Sequence, residues 1–268
     1  MKVNKKIVVV TGAGSGIGRA LVAELLARGA AVAAVDLSDE GLKETARING
    51  NNEALSLHVA NIADQARVAA LPAEILARHG AIDVLINNAG IIQPFVPFAE
   101  LDLEVIDRVL QVNLYGVIHM TRAFLPHMME RAEAHLVNVS SMGGFMPFPG
   151  QTMYGASKAA VKLLTEGLYA ELMDTSVDVS VVFPGAVATN ITTNSGAGGH
   201  APEEAEDSAL EPLPAEDAAR AIVDGIEKGR LHIFVGKDSK LLNMATRIAP
   251  RRSVRFIQQQ MKKMLHDE

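Results

Sequence analysis

A tyrosine and a lysine stand four residues apart in Tyr154-Gly155-Ala156-Ser157-Lys158, at the start of a segment of helical period that reaches about Met173. On a helix that spacing puts both side chains on one face, one turn apart. A free phenol titrates at about 10 and is a poor base at neutral pH. A neighbouring ammonium favours the phenolate and brings it toward the useful range. The chemistry on offer is proton transfer to or from an oxygen. Two serines, Ser140 and Ser141, follow the apolar run His135–Val139, and the run Val84–Ile86 leads into Asn87-Asn88-Ala89-Gly90. Both groups sit where strands would end, the edge at which open α/β sheets bind ligands. Asn113 lies within a helical stretch, as Val112-Asn113-Leu114-Tyr115-Gly116.

A second constellation lies near the N-terminus. The run Ile7–Val10 passes into Thr11-Gly12-Ala13-Gly14-Ser15-Gly16-Ile17-Gly18 and then into a helical pattern from Arg19 to Arg28. A glycine turn between a strand and a helix lets phosphate oxygens approach the backbone and the helix N-terminus, and Gly18 would let the helix pack closely on the sheet. Asp36 ends the second apolar run, 18 residues beyond Gly18. A carboxylate there accepts from both adenosine ribose hydroxyls and repels a 2′-phosphate. Neither Ser15 nor Leu37 is a cation that would neutralise such a phosphate, so NAD is expected in preference to NADP.

These residues need a scaffold. Short β-branched runs alternate with longer segments of helical period, the pattern of a parallel sheet covered by helices. The runs are Ile7–Val10, Ala31–Val35, Ala54–Val59, Val84–Ile86, His135–Val139, Val177–Phe183 and His232–Val235. Their near-continuous apolar character fits strands buried on both faces. The expected fold class is α/β: a single doubly wound Rossmann-type domain over residues 1–236, with a seven-stranded parallel sheet flanked by helices. Two segments break the rhythm. Residues 190–214 are rich in Gly, Pro, Ser and carboxylates and read as an excursion. After Val235 the chain turns basic and helical, interrupted by Pro250, giving an amphipathic extension over 237–268.

The 268 residues are 49% hydrophobic and 21% charged, with a formal net charge of −6. That suffices for one full core and excludes a disordered chain. A dedicated nucleic-acid binder needs surplus cations to neutralise phosphates, so no nucleic-acid partner is expected. The chain has no cysteine, which removes disulfides, thiolate catalysis and cysteine-ligated metal centres, and no metal is expected. The N-terminal lysines precede only the short run Ile7–Val10, far less than a signal-peptide core. No stretch approaches the roughly 18 apolar residues of a membrane span. A soluble, cytoplasmic protein is expected. The charge is unevenly placed: residues 201–217 carry seven carboxylates and no cation, whereas 237–264 carry eight cations against Asp238. A basic amphipathic helix pair can lie on an anionic membrane surface, cover a subunit interface or dock on the acidic segment.

Jointly, the T-G-x-x-x-G-x-G turn, Asn87-Asn88-Ala89-Gly90, a serine 13 residues before Tyr154-x-x-x-Lys158, and Pro184-Gly185 resemble the short-chain dehydrogenase/reductase family in its compact branch. The resemblance covers about residues 5–190, and 214–236 more loosely. It implies that Tyr154 is the general acid/base and that Lys158 lowers its pKa and holds the nicotinamide ribose. Ser141, selected over Ser140 by the spacing, would hydrogen-bond the substrate oxygen, and Asn113 would hold a water that relays protons from Lys158. Gly12, Gly14, Ser15, Gly16, Ile17 and Gly18 would surround the pyrophosphate, with Asp36 and Leu37 at the adenosine ribose. Asn61 and Ile62 stand where the family usually has Asp-Val beside the adenine. Asn88, Ala89 and Gly90 would also border the cofactor. Pro184, Gly185, Val187 and Thr189 follow the family's P-G-x-V-x-T pattern and would line the nicotinamide.

Phe95, Met142, Phe145, Met146, Phe148 and Gln151 would lie near the reacting centre, and their apolar bulk implies a lipophilic substrate. The 190–214 segment occupies the substrate-loop position, with Ser195-Gly196-Ala197-Gly198-Gly199 as a hinge. The expected function is NAD-dependent interconversion of a secondary alcohol and a ketone by a homodimer or homotetramer. Alternatives are a 3-oxoacyl-thioester reductase and a non-catalytic nucleotide-sensing protein.

Overall fold

The computed structural model describes residues 1–197 and 212–266. All seven apolar runs are strands, with ends within one residue of those expected: β1 (Ile7–Thr11), β2 (Ala31–Asp36), β3 (Leu55–Val59), β4 (Val84–Asn87), β5 (Ala134–Val139), β6 (Val177–Pro184) and β7 (His232–Val235). They form one parallel sheet in the order β3-β2-β1-β4-β5-β6-β7. The winding reverses between β1 and β4, which pair directly through Val8 and Val84. That switch opens a crevice at the carboxyl ends of the two strands.

The helices are α1 (Gly16–Ala27), α2 (Asp39–Ile48), α3 (Gln65–His79), α4 (Leu103–Leu110), α5 (Gly116–Met129), α6 (Thr152–Leu172), α7 (Ile191–Asn194), α8 (Ala215–Glu227), α9 (Lys237–Ile248) and α10 (Pro250–His266). Leu21, Leu25, Leu42, Ile222 and Ile226 bring α1, α2 and α8 onto one face of the sheet. Leu71, Ile75, Met120, Phe124 and Leu172 bring α3, α5 and α6 onto the other. The fold is therefore a doubly wound α/β domain. Local signals mark its helix ends: Ser38 accepts the Gly41 N–H at the start of α2, Asp64 accepts from Ala66 and Arg67 at α3, and left-handed Gly80 stops α3. Pro250, expected as an interruption, is the first residue of α10, where its missing N–H costs nothing. No helix among the described residues is long and apolar enough to cross a membrane.

Between β5 and β6 the core encloses a histidine. His135 has no exposed surface, and its Nε2 lies 2.7 Å from Ser180 Oγ. Ser180 donates its own proton to Arg230 O at 2.7 Å, so Nε2 carries the imidazole proton and the ring is neutral. Burial pushes the His135 pKa down to about 3. Below the free-imidazole value of about 6.5 the unfolded chain takes up a proton that the folded chain refuses, so stability falls as pH drops from there toward 3. His58 and His79, also lowered by burial, act in the same direction. Urea unfolding at pH 7, 6 and 5 is expected to show this fall, and His135→Gln to flatten it by up to about 1.4 kcal/mol per pH unit. The same slope in both proteins would remove His135 from the account.

Candidate active site

The crevice is built first from backbone. Thr11 Oγ1 accepts the N–H groups of Asn88 and Ala89, each at 3.0 Å, and Asn88 Nδ2 donates to Thr11 O at 2.9 Å. These bonds lock the ends of β1 and β4 together. Gly12 and Gly16 adopt left-handed φ values of +67° and +49°. A Cβ on Gly12 would sit 2.9 Å from Ala89 Cα, and one on Gly18 only 1.9 Å from Gly12 O. The glycines thus keep turn and helix in direct backbone contact. Ser15 gives α1 no side-chain cap, which leaves the N–H groups of its first turn for an anion. This cradle fits the pyrophosphate of a dinucleotide. Thr189 borders it, since a Cβ on Gly16 would lie 3.2 Å from the Thr189 side chain.

At the adenosine end, Asp36 is held by two backbone donors, Gly14 N–H at 2.8 Å and Ser38 N–H at 2.9 Å. The Arg19 guanidinium is committed to the Gly14 and Gly41 carbonyls, with its Nε 3.1 Å from Thr45 Oγ1. Leu37 is 69% exposed beside Asp36. Asn61 Oδ1 accepts the Ala63 N–H at 3.0 Å, so it has one lone pair left for an adenine amino group. Ile62 is buried, and a Cβ on Gly116 would fall 2.5 Å from its side chain.

The proton-transfer residues meet at the end of β5. Tyr154 and Ser141 flank Gly143, where a Cβ would lie 3.2 Å from Tyr154 Cε1 and 3.4 Å from Ser141 Oγ, and Ser141 Oγ accepts the Gly143 N–H at 3.0 Å. Ser140 turns inward and donates to Lys158 O at 2.7 Å. The structure therefore pairs Ser141, and not Ser140, with the phenol. Lys158 is 4% exposed; its Nζ donates to Val139 O at 3.1 Å and lies 6.0 Å from the centre of the Tyr154 ring. Burial pushes the Tyr154 phenol up, opposed by the Ser141 hydroxyl, and pushes the Lys158 ammonium down to about 8. Gly90 makes room for that ammonium, because a Cβ there would lie 3.0 Å from Lys158 Nζ.

Asn113 occupies a π-helical turn, Gln111–Tyr115, between α4 and α5. Its Oδ1 accepts the Ile91 N–H at 2.8 Å, while Nδ2 donates to Ile91 O at 2.9 Å and Ser157 Oγ at 3.0 Å. Ser157 in turn donates to Tyr154 O at 2.7 Å. Asn113 thereby ties the loop after β4 to the tyrosine helix.

Pro184 and Gly185 end β6, and Val187 pairs with Leu213 in an isolated parallel bridge. Two residues missed in the sequence fix this loop. Ser239 Oγ donates to Phe183 O at 2.8 Å, and Asp238 Oδ2 accepts the Ala186 N–H at 3.0 Å. The available signal was Asp238 itself, the one carboxylate in a cationic stretch. Also missed was a buried polar ladder: Asn87 Nδ2 donates to Asn138 Oδ1 at 2.8 Å and Thr121 Oγ1 at 3.2 Å, and Asn138 Nδ2 to Thr165 Oγ1 at 2.9 Å.

Two expectations require correction. Phe145 packs edge-on against Phe183, with ring centres 5.5 Å apart, and Met146 is fully buried with Ile257 and Met261 of α10. Met146 therefore belongs to the seat of the C-terminal helix and not to the reacting centre, while Phe95, Phe145 and Phe148 pack partly buried against the same cluster and Gln151 is buried against Gln93. The hinge does not begin at Ser195, because Ser195 Oγ accepts the Ile92 N–H at 3.0 Å and Arg108 donates to its carbonyl at 2.9 Å. Gly198, Gly199 and the carboxylates Glu203, Glu204, Glu206, Asp207 and Glu211 lie outside the described residues. Among the described residues, no group of three His, Asp or Glu could hold a metal ion.

Fold and site together give an α/β protein whose glycine cradle opens onto the side chains of Ser141, Tyr154 and Lys158. A family model described as short chain dehydrogenase matches residues 6–198. A putative oxidoreductase SadH of Mycobacterium tuberculosis is 36% identical over 253 residues, covering 91% of this chain and 90% of that protein. Among solved structures, a short-chain dehydrogenase/reductase from Burkholderia phymatum in complex with NAD aligns with TM-score 0.81 and 26% identity, covering 92% of this chain and 96% of that one. A short chain dehydrogenase from Burkholderia cenocepacia in complex with NADP aligns with TM-score 0.80 and 26% identity, covering 96% and 99%. The chain belongs to the short-chain dehydrogenase/reductase family of oxidoreductases, which use a nicotinamide cofactor.

The cradle makes a direct prediction. A Cβ on Gly14 would lie 2.9 Å from Asp36 Cγ, while Gly14 itself needs no left-handed backbone. Gly14→Ala should displace the Asp36 carboxylate and weaken NADH binding by about tenfold, the worth of roughly one charge-assisted hydrogen bond. Fluorescence titration checks the affinity, and a melting temperature close to wild type separates the effect from unfolding. Unchanged affinity would show that Asp36 placement does not matter for the cofactor.

Proposed function

We propose that the protein interconverts a secondary alcohol and a ketone with NAD, acting on a lipophilic substrate. The observation that carries this reading is the convergence of Ser141, Tyr154 and Lys158 at the carboxyl edge beside the glycine cradle. When bound, the nicotinamide supplies or accepts the hydride; the protein supplies position and protons. Tyr154 gives its phenolic proton to the carbonyl oxygen in reduction and takes the hydroxyl proton in oxidation. Ser141 hydrogen-bonds the same oxygen. Lys158 favours the phenolate: its Nζ lies 6.0 Å from the centre of the Tyr154 ring, and a unit charge at about that distance is worth roughly 2–3 kcal/mol at an effective dielectric of about 20. That is roughly two of the about three pK units between an ordinary phenol and one that works near neutrality. Lys158 also holds the nicotinamide ribose. Asn113 Oδ1 accepts one N–H and keeps a second lone pair, with which it would hold the water that relays protons from Lys158.

Asp36, with no free cation beside it, supports NAD over NADP. Phe95, Phe145 and Phe148 keep part of their surface open while packing on the Met146 cluster, and with half-buried Met142 they support a lipophilic substrate. Exposed Leu163 and Tyr169 on α6, with Met173 just after its end, offer apolar surface for a homodimer or homotetramer. On α9, exposed Leu241, Met244 and Ile248 run beside Lys240 and Arg247, which favours peripheral contact with an anionic bilayer as a second use of the surface. Flotation with anionic and neutral liposomes tests that contact, and recovery of the protein only in the unbound fraction overturns it.

Nicotinamide absorbance over a panel of lipophilic secondary alcohols and ketones tests the main reading. Tyr154→Phe should lower kcat by about 10²–10⁴-fold while NADH binding is retained; undiminished turnover would sink the assignment. Alcohol oxidation should rise with pH as the phenolate forms, and ketone reduction should fall. Because the Lys158 ammonium is lost above about 8, Lys158→Met should move the oxidation limb to higher pH. Asp36→Ala combined with Leu37→Arg should shift preference toward NADP.

A further inference from the structure

The helix that carries Tyr154 begins without a cap of its own. Gln151, the residue before α6, makes no side-chain bond to the first turn, although the leading N–H groups of a helix need acceptors. The acceptor comes from a different strand's loop. Gln93 Oε1 receives the N–H of Met153 at 2.8 Å and the N–H of Tyr154 at 3.1 Å. The other end of the same amide donates from Nε2 to Gly150 O at 2.9 Å, and Gln151 Nε2 returns a bond to Gln93 O at 2.7 Å. Gln93 has no exposed surface and Gln151 is 5% exposed. Gly150 has φ +79°, and a Cβ on it would lie 3.4 Å from Phe95 Cα.

We propose that Gln93 is the positioning residue for the acid/base tyrosine: it caps α6 from the loop after β4 and fixes the phenol against Ser141. The proposal rests on the assignment of Tyr154 as the acid/base. Glutamine is suited because one planar group must accept two N–H bonds and donate one at the same time. A carboxylate keeps the acceptor but faces the Gly150 carbonyl without a proton. An apolar side chain strands three buried backbone groups. Tyr154 and Lys158 ride on α6, whereas Ser141 ends β5 and the glycine cradle follows β1. Loosening the first turn therefore misaligns Tyr154 against Ser141 and leaves the cradle intact.

The test uses the full-length protein with NAD and the best substrate of the alcohol panel, comparing wild type, Gln93→Met, Gln93→Glu, Gln93→Asn and Tyr154→Phe. Gln93→Met should lower kcat by about 10–100-fold, the scale of a small misplacement of a reacting group. NADH affinity should change by no more than about twofold, the pH limb of oxidation should move, and exchange at the Met153 and Tyr154 amides should accelerate. Gln93→Glu should keep those amides protected and recover most of kcat. Wild-type kcat and pH limb in Gln93→Met overturn the proposal, as does a kcat loss matched by equal losses of NADH affinity and folded protein. If Gln93→Met does not fold, Gln93→Asn decides, because it keeps the polarity but is too short to span both partners; wild-type behaviour there is equally fatal. Tyr154→Phe active at the wild-type rate would instead remove the acid/base assignment. An inactive Tyr154→Phe beside an unperturbed Gln93→Met removes only the role of Gln93.

Discussion

Keeping an ammonium inside the protein is the constraint around which the site is arranged. Lys158 is nearly inaccessible and donates to the carbonyl that ends β5. Burying an unpaired cation is costly, and an ordinary core would expel or neutralise it. Here the ammonium keeps a backbone acceptor in Val139 O at 3.1 Å, and the remaining cost shows as a pKa lowered to about 8. Glycine at position 90 leaves the ammonium room, since a Cβ there would press on Lys158 Nζ at 3.0 Å and on Asn113 Oδ1 at 3.3 Å. Ser140 clamps the Lys158 carbonyl, which fixes the stem of the side chain as Val139 fixes its tip.

The site also depends on joining parts far apart in sequence. Asn113 bridges the loop after β4 to Ser157, and Ser157 bonds the Tyr154 carbonyl. The Asn87–Asn138 ladder ties β4 and β5 to α5 and α6 through Thr121 and Thr165. Such bonds are strong where water is excluded and penalise any shift that leaves a group unpaired. They hold α6 at one height above the sheet edge, and the reactive side chains inherit that height.

Much of this was legible in the residues. The five inner strands are buried on both faces and must be apolar along their length, so they stood out as runs. The edge strands β3 and β7 kept enough apolar residues to follow, and a glycine turn joining a strand to a helix announces itself by composition. Tyr154 and Lys158 were legible because helical spacing sets their common face; choosing Ser141 over Ser140 needed the family's spacing. The polar residues that secure the site were not legible. Gln93, Asn138 and Asp238 satisfy partners 51 to 61 positions away, and no local periodicity encodes such distances. Met146 was misplaced for a related reason: apolar bulk near a site looks the same whether it meets substrate or a helix returning from the C-terminus.

That returning helix changes how the C-terminal charge is understood. Asp238 stands in the first turn of α9, where a carboxylate is favoured by the helix dipole, and it accepts the Ala186 N–H in the loop after β6. A Cβ on Gly185 would fall 2.2 Å from the same carboxylate, so glycine and aspartate are matched to one another. The one anion of the basic stretch is thus the group that joins it to the cofactor side of the domain. Ile257 and Met261 complete the seat on Met146, and the apolar residues left exposed on α9 face away from it. The extension therefore divides its labour by face: its inner face and first turn hold the loop after β6 and the wall near the substrate, while its outer face remains available for contacts beyond the chain.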